Sequence, residues 1–171
     1  CYWIVNMVKV VDNFLSQEDC KILIESNSTD LKPQPEAAYE RRCVSKFIEL
    51  PNIKERVSKL VSEVRNNLLI DNKFELIKYV PQDHFQWHND IQLGNPKVHK
   101  ISTVILLNKD FKGGELLIRE NLKESTVDIK TGSLVIFPSK LKHKVNRITQ
   151  GTRYSLCCWF YTNSENKVNV I

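Results

Sequence analysis

From residue 74 onward the chain is a succession of short β-type runs: FELIKYV, HFQWHND, KISTVILLN, GELLIRE, STVDIK, GSLVIFP, HKVNRI and TRYSLCCWFYT. All five glycines (Gly94, Gly113, Gly114, Gly132 and Gly151) fall between these runs or at their starts, where turns need them. Short strands punctuated in this way predict two sheets closed on each other, a jelly roll.

The first half has a different texture. NMVKVVDNFLS reads as a short strand running into a turn. Ser16, with Asp19 three positions on, predicts an N-cap for a helix over 17–26. Pro51 or Asn52 opens a second helix, in which Ile53, Val57, Leu60, Val61 and Val64 recur at helical spacing. The intervening STDLKPQPEAAYERRCVSK is polar and aperiodic and predicts a long loop, with residues 30–47 as a cover over a substrate. The expected fold is α+β: a double-stranded β-helix (jelly roll) with N-terminal buttressing helices. One domain over 1–171 is expected, with helical support and loop at 1–73, the jelly-roll core at 74–162 and a tail at 163–171. A chain of 171 residues buries roughly 70% of its extended surface on folding, so one sizeable core is expected.

Hydrophobic residues make up 42% and charged residues 26% of the chain, ordinary shares that argue against disorder and against a membrane protein. No apolar run approaches the roughly 20 residues of a membrane span, and CYWIVNMVKVVDNF lacks the features of a signal peptide. A cytoplasmic location is expected. Abundant Lys, Asn and Ile suggest an AT-rich genome, hence a bacterium or a phage-infected host cell. Cys1, Cys20, Cys43, Cys157 and Cys158 form no CxxC or zinc-like spacing and are expected to be reduced. The net charge of +5 is spread over scattered lysines, which disfavours a nucleic-acid partner.

One run departs from ordinary strand chemistry. In FQWHNDIQ, strand alternation sends His88 and Asp90 to one side, expected to be the barrel interior, and Asn89 to the other. A histidine and a carboxylate two residues apart are half of a metal site. His143, at the start of a later strand, supplies the other half. Two histidines and one carboxylate form the facial triad of non-haem Fe(II), which leaves positions open for reactants. Arg153, ten residues beyond His143, shares its face with Ser155, Cys157 and Trp159. A guanidinium aimed into a barrel needs an anion, and the far end of a dicarboxylate meets that need.

These motifs resemble the 2-oxoglutarate and Fe(II)-dependent oxygenases, nearest the prolyl 4-hydroxylase and PKHD-type branch. The resemblance covers about residues 74–162 and follows the family order: HND, an LN strand end, GGEL, GSLVIFP, then HKV and GTR. It implies the double-stranded β-helix fold, with His88, Asp90 and His143 as catalytic iron ligands and Arg153 on the distal carboxylate of 2-oxoglutarate. It also implies hydroxylation of an amino-acid residue, peptidyl proline first, with 2-oxoglutarate and O2 converted to succinate and CO2 and ascorbate as a reductant. The carboxylate ligand favours hydroxylation over halogenation.

Phe85 stands where many prolyl hydroxylases carry a cofactor-binding tyrosine, so Tyr79, Thr103 and Ser155 become the candidates for that contact. Trp159, Arg41 and Arg42 are expected at the substrate, a proline-containing peptide. Trp87 is expected to pack against the helices, and His84 and His99 to be surface or supporting residues. An AlkB-like nucleic-acid demethylase, the alternative within the same chemistry, carries a second arginine six residues after the first, where this chain has Trp159. A non-enzymatic jelly-roll binding module would be expected to have lost a ligand, and none is lost.

Overall fold

The computed structural model describes residues 2–5, 7–34, 40–91 and 95–163. Cys1, Tyr39, Gly94 and all of the tail beyond Asn163 lie outside them. The first elements are β1 (Tyr2–Val5), β2 (Val8–Val11), α1 (Gln17–Asn27), β3 (Lys32–Pro33), β4 (Arg41–Arg42), β5 (Val44–Glu49) and α2 (Pro51–Ser62). Then come β6 (Leu69–Ile70), β7 (Lys73–Tyr79), β8 (His84–His88), β9 (Lys97–Leu106), β10 (Phe111–Gly113) and β11 (Leu116–Glu120). The last are β12 (Lys123–Thr126), β13 (Leu134–Pro138), β14 (Lys142–Val145), β15 (Ile148–Gly151) and β16 (Arg153–Asn163). No described helix is long and apolar enough to cross a membrane.

A nine-stranded sheet runs β1-β2-β13-β9-β16-β7-β5-β3, with β6 added beside β16. A five-stranded sheet, β12-β11-β14-β8-β4, faces it, and β10 pairs with β15. The interior between the sheets holds Ile77, Tyr79, Val104, Leu106, Leu116, Ile118, Phe137 and Cys157. A second apolar layer joins Cys20 of α1 and Val57 and Val61 of α2 to Phe74, Leu76, Ile105, Leu156 and Cys158 on the other face of the large sheet. The large sheet is therefore covered on both faces. This is why Cys157 and Cys158, adjacent on β16, are both buried, and both are free thiols.

Both helices begin where their capping signals lie. The Ser16 hydroxyl accepts from the Asp19 N–H, the Asp19 carboxylate accepts from the Ser16 N–H, and Pro51 occupies the first turn of α2. The expected long loop is different: the segment read as aperiodic contributes β3, β4 and the start of β5. Over Val44–Glu49, β5 pairs residue by residue with β7. Its apolar residues, Val44, Phe47 and Ile48, do not alternate, so a strand was not legible there. The strand expected over 125–130 instead starts at Lys123, because Asn121 and Leu122 both take positive φ (48° and 67°) and close a tight hairpin with Glu120 opposite Lys123.

Candidate active site

β8 and β14 bring two histidines side by side. Their register pairs His88 with His143 and Phe85 with Val145, so three steps along β8 match two along β14. The extra residue is a β-bulge at Gln86–Trp87. Strict alternation would put Phe85 and His88 on opposite faces; the bulge turns both inward, where their rings stack at 3.5 Å between centroids. Trp87 faces outward beneath Arg119 and Lys144, with their cations 4.2 and 5.1 Å from its ring. This corrects the expectation that Trp87 packs on the helices, which lie against the other sheet.

Asp90 follows at the bend after β8, its N–H donating to the Ser139 carbonyl. His88 Nε2 is 3.6 Å from Asp90 Oδ1, and His143 Nε2 is 3.6 Å from Asp90 Oδ2. Ligand atoms of the three residues all lie within 4.8 Å of one another. His88 Nδ1 is 2.7 Å from the Gln86 carbonyl, and His143 Nδ1 is 3.0 Å from that of Leu141. A carbonyl oxygen only accepts, so each Nδ1 carries a hydrogen and each Nε2 is the atom turned toward Asp90. Burial, reinforced by neighbouring His143, holds His88 down to about 4 against the pull of Asp90, so at neutral pH it is an uncharged ligand. This donor set suits a divalent metal with open positions.

The carboxylate ligand is itself held. Asp90 Oδ2 accepts from Ser102 Oγ at 2.5 Å and from Trp159 Nε1 at 2.9 Å. Ser102 also bonds Ser139, and His99 donates to the Asp90 carbonyl at 2.9 Å while stacking on Trp159. Trp159 was expected to touch substrate; here its indole N–H orients Asp90. Trp159→Phe keeps the ring and removes this donor. It is expected to weaken metal binding roughly 10- to 100-fold, read by Co(II) absorption titration, with the fold intact.

Arg153 lies in the same cavity, 1% exposed. Its Nη1 donates to Ser155 at 3.0 Å, whereas Nε and Nη2 have no partner among the described residues. Burial lowers its pKa. A buried guanidinium with two free N–H directions calls for an anionic ligand. Tyr79, buried beneath it with the ring 5.5 Å away, has no partner for its hydroxyl among the described residues. Thr103 corrects an expectation: its hydroxyl is 3.1 Å from the Cys158 carbonyl, because alternation places it with Ile101 and Ile105 on the helix side. Ser102 occupies the inward position instead.

Gly114 makes room for Arg153. At φ +67° an added Cβ would lie 2.4 Å from Ile148 Cδ1 and 3.1 Å from Arg153 Cδ. Gly114→Ala is therefore expected to destabilise by more than ~1 kcal/mol and to raise the 2-oxoglutarate concentration needed for any turnover. Thermal melts and a cofactor titration check both.

The cavity that joins these groups has a volume of about 490 Å³. Arg41 lines it; Arg42 does not, being paired with Asp83 at 3.1 Å. Arg41 is no loop charge: it forms a buried ion pair with Glu75 at 2.6 Å. His84 is buried and bonded to the Gln82 carbonyl. Sequence reasoning missed Ser102, Ser139 and Glu75, whose contacts join segments distant in the chain.

The sequence profile of the 2OG-Fe(II) oxygenase superfamily matches residues 74–161, just over half the chain. A PKHD-type hydroxylase of Crocosphaera subtropica is 24% identical over 177 residues, covering 91% of this chain and 79% of its own. One from Pseudomonas putida strain W619 is 36% identical over 84 residues, covering 44% of this chain and 37% of its own. Among solved structures, a Pseudomonas putida prolyl-4-hydroxylase aligns with a TM-score of 0.71 at 18% identity, over 91% of this chain and 92% of that one. A Trichoplax adhaerens prolyl hydroxylase, solved with a hypoxia-inducible-factor peptide fragment, gives 0.72 at 17% identity, over 92% and 84%. These structures share the fold.

Proposed function

The chain belongs to the 2OG-Fe(II) oxygenase superfamily, whose enzymes use Fe(II), 2-oxoglutarate and O2, and on that premise we propose that it is a prolyl 4-hydroxylase-like enzyme acting on a peptide. In the proposed reaction a substrate C–H, O2 and 2-oxoglutarate become the hydroxylated residue, succinate and CO2. The observation that carries this reading is one cavity lined both by the His88–Asp90–His143 cluster and by Arg153 with its unpartnered N–H groups.

These roles are supported by the geometry. His88 and His143 present their Nε2 atoms and Asp90 a carboxylate anchored by Ser102 and Trp159, a set suited to Fe(II). Bound there, iron supplies O2 activation and substrate oxidation. Arg153 pairs with the distal carboxylate of 2-oxoglutarate through its free N–H groups, with Ser155 and the Tyr79 hydroxyl beside it. Tyr79 takes the place of the tyrosine that Phe85 replaces, and burial raises its pKa well above the ordinary value, so it stays a neutral donor. Phe85 stacks on His88 and fixes its ring plane. Residues 74–162 form the catalytic core in this reading, with 1–73 in support.

The likeness to prolyl hydroxylases makes a proline-containing peptide the first substrate to try. Incubation of prolyl peptides with Fe(II) and 2-oxoglutarate should yield products one oxygen atom heavier, with the gain mapped to proline by tandem mass spectrometry. Succinate formed with no such gain would set the prolyl reading aside.

A further inference from the structure

A second polar centre lines the cavity on the mouth side of Arg153. Along β7 the inward residues are Tyr79, Ile77 and Glu75, opposite Arg153, Ser155 and Cys157 of β16. On its other side Glu75 pairs with Phe47 of β5, which is 58% exposed, whereas Arg153 is 1% exposed. Glu75 is thus set about 13 Å of strand from the Tyr79 level, toward the opening.

The side chain of Glu75 is 4% exposed, yet only one of its oxygens is used. Oε1 accepts from Arg41 Nη2 and from Ser45 Oγ, both at 2.6 Å, and Gln34 donates to that same serine hydroxyl. Oε2 accepts no hydrogen bond among the described residues. Unlike the Arg153 nitrogens, Oε2 is not closed off, so it can take a donor that enters the cavity it lines. Arg41 balances the charge of Glu75, and Glu75 holds that guanidinium charged against its burial. What remains on the cavity side is an acceptor oxygen, which calls for a hydrogen-bond donor.

We infer that Glu75 is a substrate-recognition residue whose Oε2 takes a hydrogen bond from an N–H group of the substrate. The inference rests on the oxygenase reading of this cavity and deepens it. A peptidyl proline has no hydrogen on its own nitrogen. The donor is then the backbone N–H of the following residue or, for a free imino acid, its own ammonium.

The test is a titration of protein loaded with Zn(II) and 2-oxoglutarate, in which no turnover occurs. The probes are two pairs: acetyl-Pro-Ala-amide against its N-methylalanine analogue, and L-proline against N,N-dimethylproline, the quaternary form that has no N–H. The N–H member of one pair is expected to bind at least about ten-fold tighter, because its partner fills the cavity beside Oε2 without giving it a donor. The pair that discriminates identifies the source of the donor. Arg41→Met combined with Glu75→Leu replaces both ion partners by apolar groups, a change compatible with folding, and should erase the discrimination. Equal affinities within both pairs, no binding by either pair, or discrimination surviving in the double variant each overturn the inference. The comparison in the unsubstituted protein decides alone if the double variant does not fold. Oxygen transfer is not measured in this titration, so failure of the hydroxylase reading registers separately.

Discussion

Replacing His143 by alanine is expected to abolish 2-oxoglutarate turnover while the protein stays folded, and His88→Ala should do the same. Each histidine offers Nε2 to the same space beside Asp90, and no other described histidine or cysteine joins the cluster to take its place. Loss of one ligand from a three-residue set removes both metal affinity and the geometry of the open positions. Metal-ion catalysis contributes several kcal/mol, so the fall in rate should exceed about a thousand-fold. His143 packs edge-on against Phe137 at 4.9 Å, so a melting curve must accompany the assay. Full 2-oxoglutarate turnover by either variant would remove that residue from the metal site.

Arg153→Ala is the second large effect, and its signature is a split between cofactor dependence and stability. Charge-assisted hydrogen bonds contribute about 1.5–3 kcal/mol, so the 2-oxoglutarate requirement should rise roughly ten- to hundred-fold. Arg153→Lys should recover part of this, since one point charge replaces a planar fork. Without ligand the guanidinium is buried with Nε and Nη2 unpartnered among the described residues, so its removal should cost little stability. The stabilisation that 2-oxoglutarate confers, about 2.7 kcal/mol at a hundred times its Kd, should fall to roughly 0.4–1.4 kcal/mol in the variant at that concentration. Unchanged 2-oxoglutarate dependence would take Arg153 out of the cofactor site.

Much of the scaffold was readable because its signals are local. Ser16 with Asp19 and Pro51 mark helix starts within one turn, and the glycines break the strands where the chain turns. HND, His143 and Arg153 were readable through the order of their motifs. What was hidden depends on pairing between distant strands. The bulge that turns both Phe85 and His88 inward exists only against β14. The face of Thr103 could not be read, because β9 is buried on both sides from Ile101 to Leu106 and the adjacent Ser102 and Thr103 show no alternation between faces. Trp159 and Asp90 are 69 residues apart, and Arg41 and Glu75 are 34 apart. In VSKFIE the apolar residues Val44, Phe47 and Ile48 do not alternate, Ile48 lying toward the helices and Phe47 toward the cavity, so no period-two signal marked the strand. The polar segment before it drew it into a loop.

The central claim is that one cavity holds the metal on His88, Asp90 and His143 and the cofactor on Arg153. Anaerobic crystals grown with Fe(II) and 2-oxoglutarate, measured at the iron absorption edge, test it directly. The expected result is a single anomalous peak in contact with the two Nε2 atoms and the Asp90 carboxylate, with the distal carboxylate of 2-oxoglutarate on Nε and Nη2 of Arg153. An iron peak away from these three side chains, or 2-oxoglutarate bound without contact to Arg153, would contradict it.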